Sequence, residues 1–177
     1  MHALTLVTFA SALALAACGK APEKIAEKSI ESAMSKDGTQ AKVNLSEGSM
    51  KVTTTDAAGK TTQMEIGKAQ VTEADLGVPF YPGAKPTEGG SMRVAAGDGS
   101  MVQMGLHSDD AADKVAAFYR DKLKAMADGK QLMDMSSNEG ATFSLMDDKT
   151  KSAIQVHVSK ADKGSDILIS STRGGAK

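Results

Sequence analysis

The chain predicts an α+β fold in which helices lie against antiparallel sheet. Three observations point there. Short runs of period-two alternation dominate the chain, turn-forming Gly, Asp and Asn separate them at close intervals, and stretches with helical periodicity are few. Strands that follow one another in runs, with a helix inserted, indicate antiparallel pairing with the helix on one face. The expected arrangement is a small helix plus a three-stranded meander over residues 23–70. An antiparallel sheet of about six strands with one helix packed on a face is expected over residues 71–177.

In order along the chain, Ile25, Ala26, Ser29, Ile30, Ala33 and Met34 recur at helical spacing, and Gly38 is placed to end that helix. Alternation follows: Val43 and Leu45, a Glu47-Gly48 turn, Met50, Val52 and Thr54, a turn over residues 56–59, then Thr62, Met64 and Ile66. Residues 68–76 read as a connector. Gly77-Val78-Pro79-Phe80-Tyr81-Pro82-Gly83-Ala84 reads as an extended entry strand or plug, because each proline biases the residue before it toward extended backbone. Met92 and Val94 pair across Gly97-Asp98-Gly99 with Val102, Met104 and Leu106.

Ser108 is suited to cap a helix whose apolar stripe is Val115, Phe118, Tyr119, Leu123 and Met126, with Gly129 closing it. Four strands complete the chain, over residues 132–135, 141–146, 153–158 and 166–171.

The 177 residues carry 21 basic and 22 acidic side chains with no long run of one sign, which argues against a nucleic-acid partner or a polybasic membrane patch. Aromatic residues are scarce, and the eleven methionines fill space that rings occupy elsewhere. The single cysteine cannot form an internal disulfide.

That cysteine ends an uncharged segment. From Ala3 to Ala17 the chain is apolar or small, shorter than the roughly 20 residues a spanning helix needs, and so reads as an export signal over residues 1–17. Its end, Leu15-Ala16-Ala17-Cys18, resembles the lipobox of bacterial lipoproteins. The resemblance implies cleavage between Ala17 and Cys18, and diacylglycerol and fatty acyl chains such as palmitate on Cys18. It also implies a membrane partner reached through acylated Cys18 and a tether over residues 18–22. Gly19, where an Asp would favour retention at the inner membrane, implies the outer membrane, facing the periplasm of a diderm cell.

A second resemblance covers residues 75 to 173. The segment Val78 to Ala84 with its Tyr-Pro-Gly-Ala run, a hairpin, Ser108-Asp109-Asp110, and Phe118-Tyr119-Arg120 on a helix look like a domain recurring in bacterial lipoproteins. It implies a fold and an address but no activity.

Few residues offer chemistry. His107 falls at the end of a hairpin strand and His157 reads as a solvent-facing or sheet-surface histidine, with no evident nucleophile to form a catalytic set. Met133 and Met135 share a strand face, and with Met101 and Met104 they form a candidate Cu(I) set of soft thioether donors. Core filling predicts the same spacing, and Met101 and Met104 should point to opposite faces. The aspartate pairs 109–110 and 147–148 fall where helix starts and turns favour aspartate. Phe80 and Tyr81 are expected to pack inward. The sequence thus leads to a lipid-anchored envelope lipoprotein with a non-enzymatic binding or scaffolding role and no cofactor. Periplasmic Cu(I) binding is the alternative.

Overall fold

The computed structural model describes residues 21–35, 38–46 and 48–174. The expected signal segment, its cleavage at Ala17 and Cys18, most of the tether and Glu47 lie outside these residues. Nine described strands, β1 Gln40–Ser46, β2 Ser49–Thr55, β3 Thr61–Gly67, β4 Lys85–Ala96, β5 Gly99–Ser108, β6 Gln131–Ser137, β7 Gly140–Asp147, β8 Ser152–Lys160 and β9 Ser165–Arg173, form one sheet. Its order is β1-β2-β3-β4-β5-β9-β8-β7-β6, antiparallel throughout and open rather than closed into a barrel. The helices are α1 Ala21–Met34, α2 Glu73–Leu76 and α3 Ala112–Ala125.

The α+β class is therefore as expected, while the count is not. One nine-stranded sheet with three helices takes the place of a meander beside a separate sheet of six strands and one helix. The reason is the pairing of β3 with β4, from Thr62↔Ala96 to Gly67↔Gly90, which carries the ladder across the expected boundary near residue 70. A free meander edge would leave its backbone groups unpaired. The apolar core nevertheless belongs to the later segment: its cluster runs from Leu76 to Ile169 and takes in β5, β7, β8, β9 and α3.

Alternation explains which face is covered. Val102, Met104 and Leu106 of β5, Phe143 and Leu145 of β7, Val156 and Val158 of β8, and Ile167 and Ile169 of β9 all point to the side where α3 lies. From α3, Val115, Tyr119 and Leu123 are fully buried against them, while Phe118, and Met126 just after the helix, are half-buried.

The start of α3 departs from expectation. Ser108 stays in β5, paired with Ser165, and its Oγ accepts the Asp110 N–H at 3.1 Å, so the helix begins only at Ala112 without a side-chain cap. It ends at Ala125, before Gly129. Residues 77–84 form a plug without becoming a strand. Gly77 closes α2 in the left-handed conformation (φ 75°), Val78 and Tyr81 enter the core, and the Ala84 N–H returns to the Tyr81 carbonyl around Pro82-Gly83.

The expected connector holds α2, which four residues make too short for a periodic signal. Thr72 and Asp75 form a reciprocal capping box. Two arginines then fix it to the sheet. Arg93 bonds the Asp75 carboxylate at 2.9 Å and the Gln70 carbonyl at 2.8 Å, and Arg173 donates to the Ala74 and Asp75 carbonyls.

At the β1 edge, α1 lies along the strand. Ser35 Oγ, Glu31 Oε1 and Glu27 Oε1 accept the N–H groups of Ala41 at 3.0 Å, Val43 at 2.8 Å and Leu45 at 2.7 Å. Spacing of four places these acceptors on one helix face, matching the alternate N–H groups of a strand edge.

Candidate functional site

Because α2 and α3 cover one face of the β5–β9–β8–β7 region, the residues between the core positions face the other way. Register places them in rows. Gly105, Leu168, His157 and Thr142 align across β5, β9, β8 and β7, and His107, Asp166 and Ser159 align in the next row. From these rows Gly105, Leu168, His157, Asp166 and Ser159 join Thr87 in lining a groove of about 260 Å³, with backbone of Leu106 and Ile167 below, while Thr142 and His107 hold His157 and Asp166 from beside it.

Glycine makes room for the wall of this groove. The pairing of β4 with β5 breaks between Pro86 and Ser91, and the displaced segment brings Thr87 over β5. A Cβ at Gly105 would sit 2.6 Å from Thr87 Oγ1, and one at Gly90 only 2.2 Å from it. Neither position tolerates a side chain unless Thr87 moves, and the groove would change shape with it.

The polar groups are held but not saturated. His157 Nδ1 lies 2.9 Å from Thr142 Oγ1, and His107 Nδ1 lies 2.8 Å from Asp166 Oδ1. Each imidazole therefore keeps Nε2 for a ligand, with no protein partner among the described residues. Leu168 is 41% exposed between them, an apolar side chain in an otherwise polar row. Hydroxyl, carboxylate and imidazole groups beside an exposed leucine suit a small ligand that is partly apolar and partly hydrogen-bonding.

The groups do not form an activated nucleophile. Ser159 makes no hydrogen bond to either histidine among the described residues. Ser165, the fully buried serine nearby, donates to the Asp110 carbonyl at 2.9 Å. The carboxylates whose acidity is shifted lie elsewhere and brace the fold. Asp75 is pulled down to about 2, first by the Arg93 hydrogen bond and then by the Thr72 backbone. Asp110 is lowered by the Tyr81 hydroxyl and then Lys114, and Asp134 by Arg120.

The aromatic residues are likewise structural. The Tyr81 N–H donates to the Tyr119 hydroxyl at 3.0 Å, the Tyr81 hydroxyl donates to Asp110 at 2.7 Å, and Phe118 stands edge-on to both rings. Tyr81 thus packs inward as expected, and burial pushes the Tyr119 phenol up. Arg120 is tied to Asp134 at 2.7 Å and Ser136 at 2.8 Å.

The candidate methionine set does not converge. Met104 is buried in the core on the helix-covered face, whereas Met101, three positions earlier, faces the opposite side of β5. Met133 and Met135 are 47% and 56% exposed on β6, four strand spacings from β5, or roughly 19 Å at about 4.8 Å each. Only Met133 and Met135 are neighbours. Of the groove residues, the sequence marked His157 alone, as solvent-facing or sheet-surface; Thr87, Ser159, Asp166 and Leu168 carried no signal until register aligned them.

No family model, curated protein or solved structure matches the chain. Among the described residues, no helix is long and apolar enough to cross a membrane.

Proposed function

We propose that this chain is a bacterial lipoprotein, acylated at Cys18 after cleavage behind Ala17 and held at the outer membrane facing the periplasm. Its folded part serves there as a binding module without catalytic activity. The groove on the uncovered sheet face carries the binding part of this reading. It offers imidazole, carboxylate and hydroxyl groups around Leu168 without a base-activated nucleophile. The Leu15-Ala16-Ala17-Cys18 run supports the anchor, because two or three acyl chains hold a protein stably where one chain holds marginally.

Two measurements test the reading. In fractionated cells the chain stays with the membranes, and Cys18→Ser moves it to the soluble fraction or leaves the uncleaved precursor. A photo-crosslinking residue at position 168 yields adducts in intact cells, whereas one at exposed Lys122 of α3 does not. A Cys18→Ser chain that is cleaved yet stays with the membranes contradicts the anchor, and equal labelling at both positions contradicts the groove.

A further inference from the structure

The two edges of the sheet are treated differently. At β1 the outward N–H groups are occupied by Glu31 and Glu27 of α1 and by Ser35 just after it. At β6 no helix or loop fills that place among the described residues. The β6–β7 hairpin closes through Ser137↔Gly140 across a two-residue turn, which makes that pair hydrogen-bonded. Counting back, Gln131, Met133 and Met135 bond to β7, and the backbone groups of Leu132, Asp134 and Ser136 point out of the sheet.

This edge lacks the usual protections. β6 contains no proline, lysine or bulge, and its one charge, Asp134, is neutralised by Arg120 at 2.7 Å on the helix-covered side. Its other side shows the exposed Met133 and Met135, soft side chains that adapt to what they meet. Outward N–H and C=O groups at every second residue call for an extended backbone.

We infer that β6 pairs antiparallel with β6 of a second copy, joining two sheets into one across a two-fold axis. Charge and symmetry favour this occupant. A two-fold through Met135 sets Asp134 against Ser136 of the second copy, keeps the two carboxylates apart and places methionine against methionine on the uncovered face. With β1 sealed by α1, a second copy cannot add head to tail, so pairing stops at two chains and does not grow into a fibre. The inference does not depend on the lipid anchor.

Sedimentation equilibrium of the full chain in density-matched detergent tests it. The mass doubles with rising concentration, and two variants each weaken association by about tenfold or more. Ser136→Pro removes an outward N–H without touching a β7 bond, and Met133→Lys with Met135→Lys puts like charges across the join. Circular dichroism checks that each stays folded, and the lysine pair, at exposed positions, decides the matter if the proline variant unfolds. A single-chain mass at every concentration, or a doubled mass that persists in either folded variant, overturns it.

Discussion

Tyr119 joins the plug to α3 in the core. Its ring is fully buried on α3, its hydroxyl accepts the N–H of Tyr81 in the plug, and Phe118 packs edge-on beside it. Tyr119→Phe keeps the ring and leaves that N–H unsatisfied, which costs about 1–3 kcal/mol in urea unfolding. A loss near zero would mean that the bond adds nothing. Asp75 gives a second test at this scale. Arg93 and Thr72 depress its pKa from 3.8 to about 2 in the folded chain, so its contribution to stability is present above about pH 4 and is lost as pH falls toward 2. Thermal midpoints measured down that range fall more steeply for the wild type than for Asp75→Asn. Parallel curves would remove Asp75 from the account. Turn residues such as Asp147, which accepts the Lys149 and Thr150 N–H groups, could be read from the sequence because their chemistry is local. The Arg93–Asp75 and Tyr81–Asp110 contacts could not, since only the folded sheet brings those partners together.

Elements with strong periodicity were the most legible. The stripe Val115, Tyr119 and Leu123 is buried where helical spacing put it, and the last four strands extend their expected spans by a residue or two at the ends. The start of α3 was missed because Ser108 can cap a helix or end a strand, and pairing with Ser165 decides for the strand. Pro79 and Pro82 announced the plug, and burial of Val78 and Tyr81 then bent what looked extended. The role of α1 could not be foreseen, because Glu27 and Glu31 lie off its apolar positions and only the folded chain brings β1 beside them. Glu27→Ala with Glu31→Ala should release the Val43 and Leu45 amides, and hydrogen exchange at those two should accelerate well beyond exchange in β8. Exchange at the wild-type rate would show that α1 does not seal this edge.

Among the described residues, α2 and α3 cover one face of the sheet from β5 to β6 and leave the other open, and one edge is sealed while the opposite edge is bare. Those asymmetries follow from which strands α1, α2 and α3 meet. The α+β class was legible from alternation and turns, whereas the single sheet was not, because the β3–β4 pairing spans the connector that suggested a boundary. The groove was hidden for the same reason: Gly105, His157 and Leu168 meet only through the register of β5, β9 and β8. The proposed binding role rests on the open face, and the proposed anchor on the first eighteen residues. Mass spectrometry of the N-terminal peptide of the mature chain tests it most directly. A lipid-anchored protein begins at Cys18 and carries a diacylglyceryl group there; an unmodified Cys18, or a mature chain that begins elsewhere, contradicts the anchor.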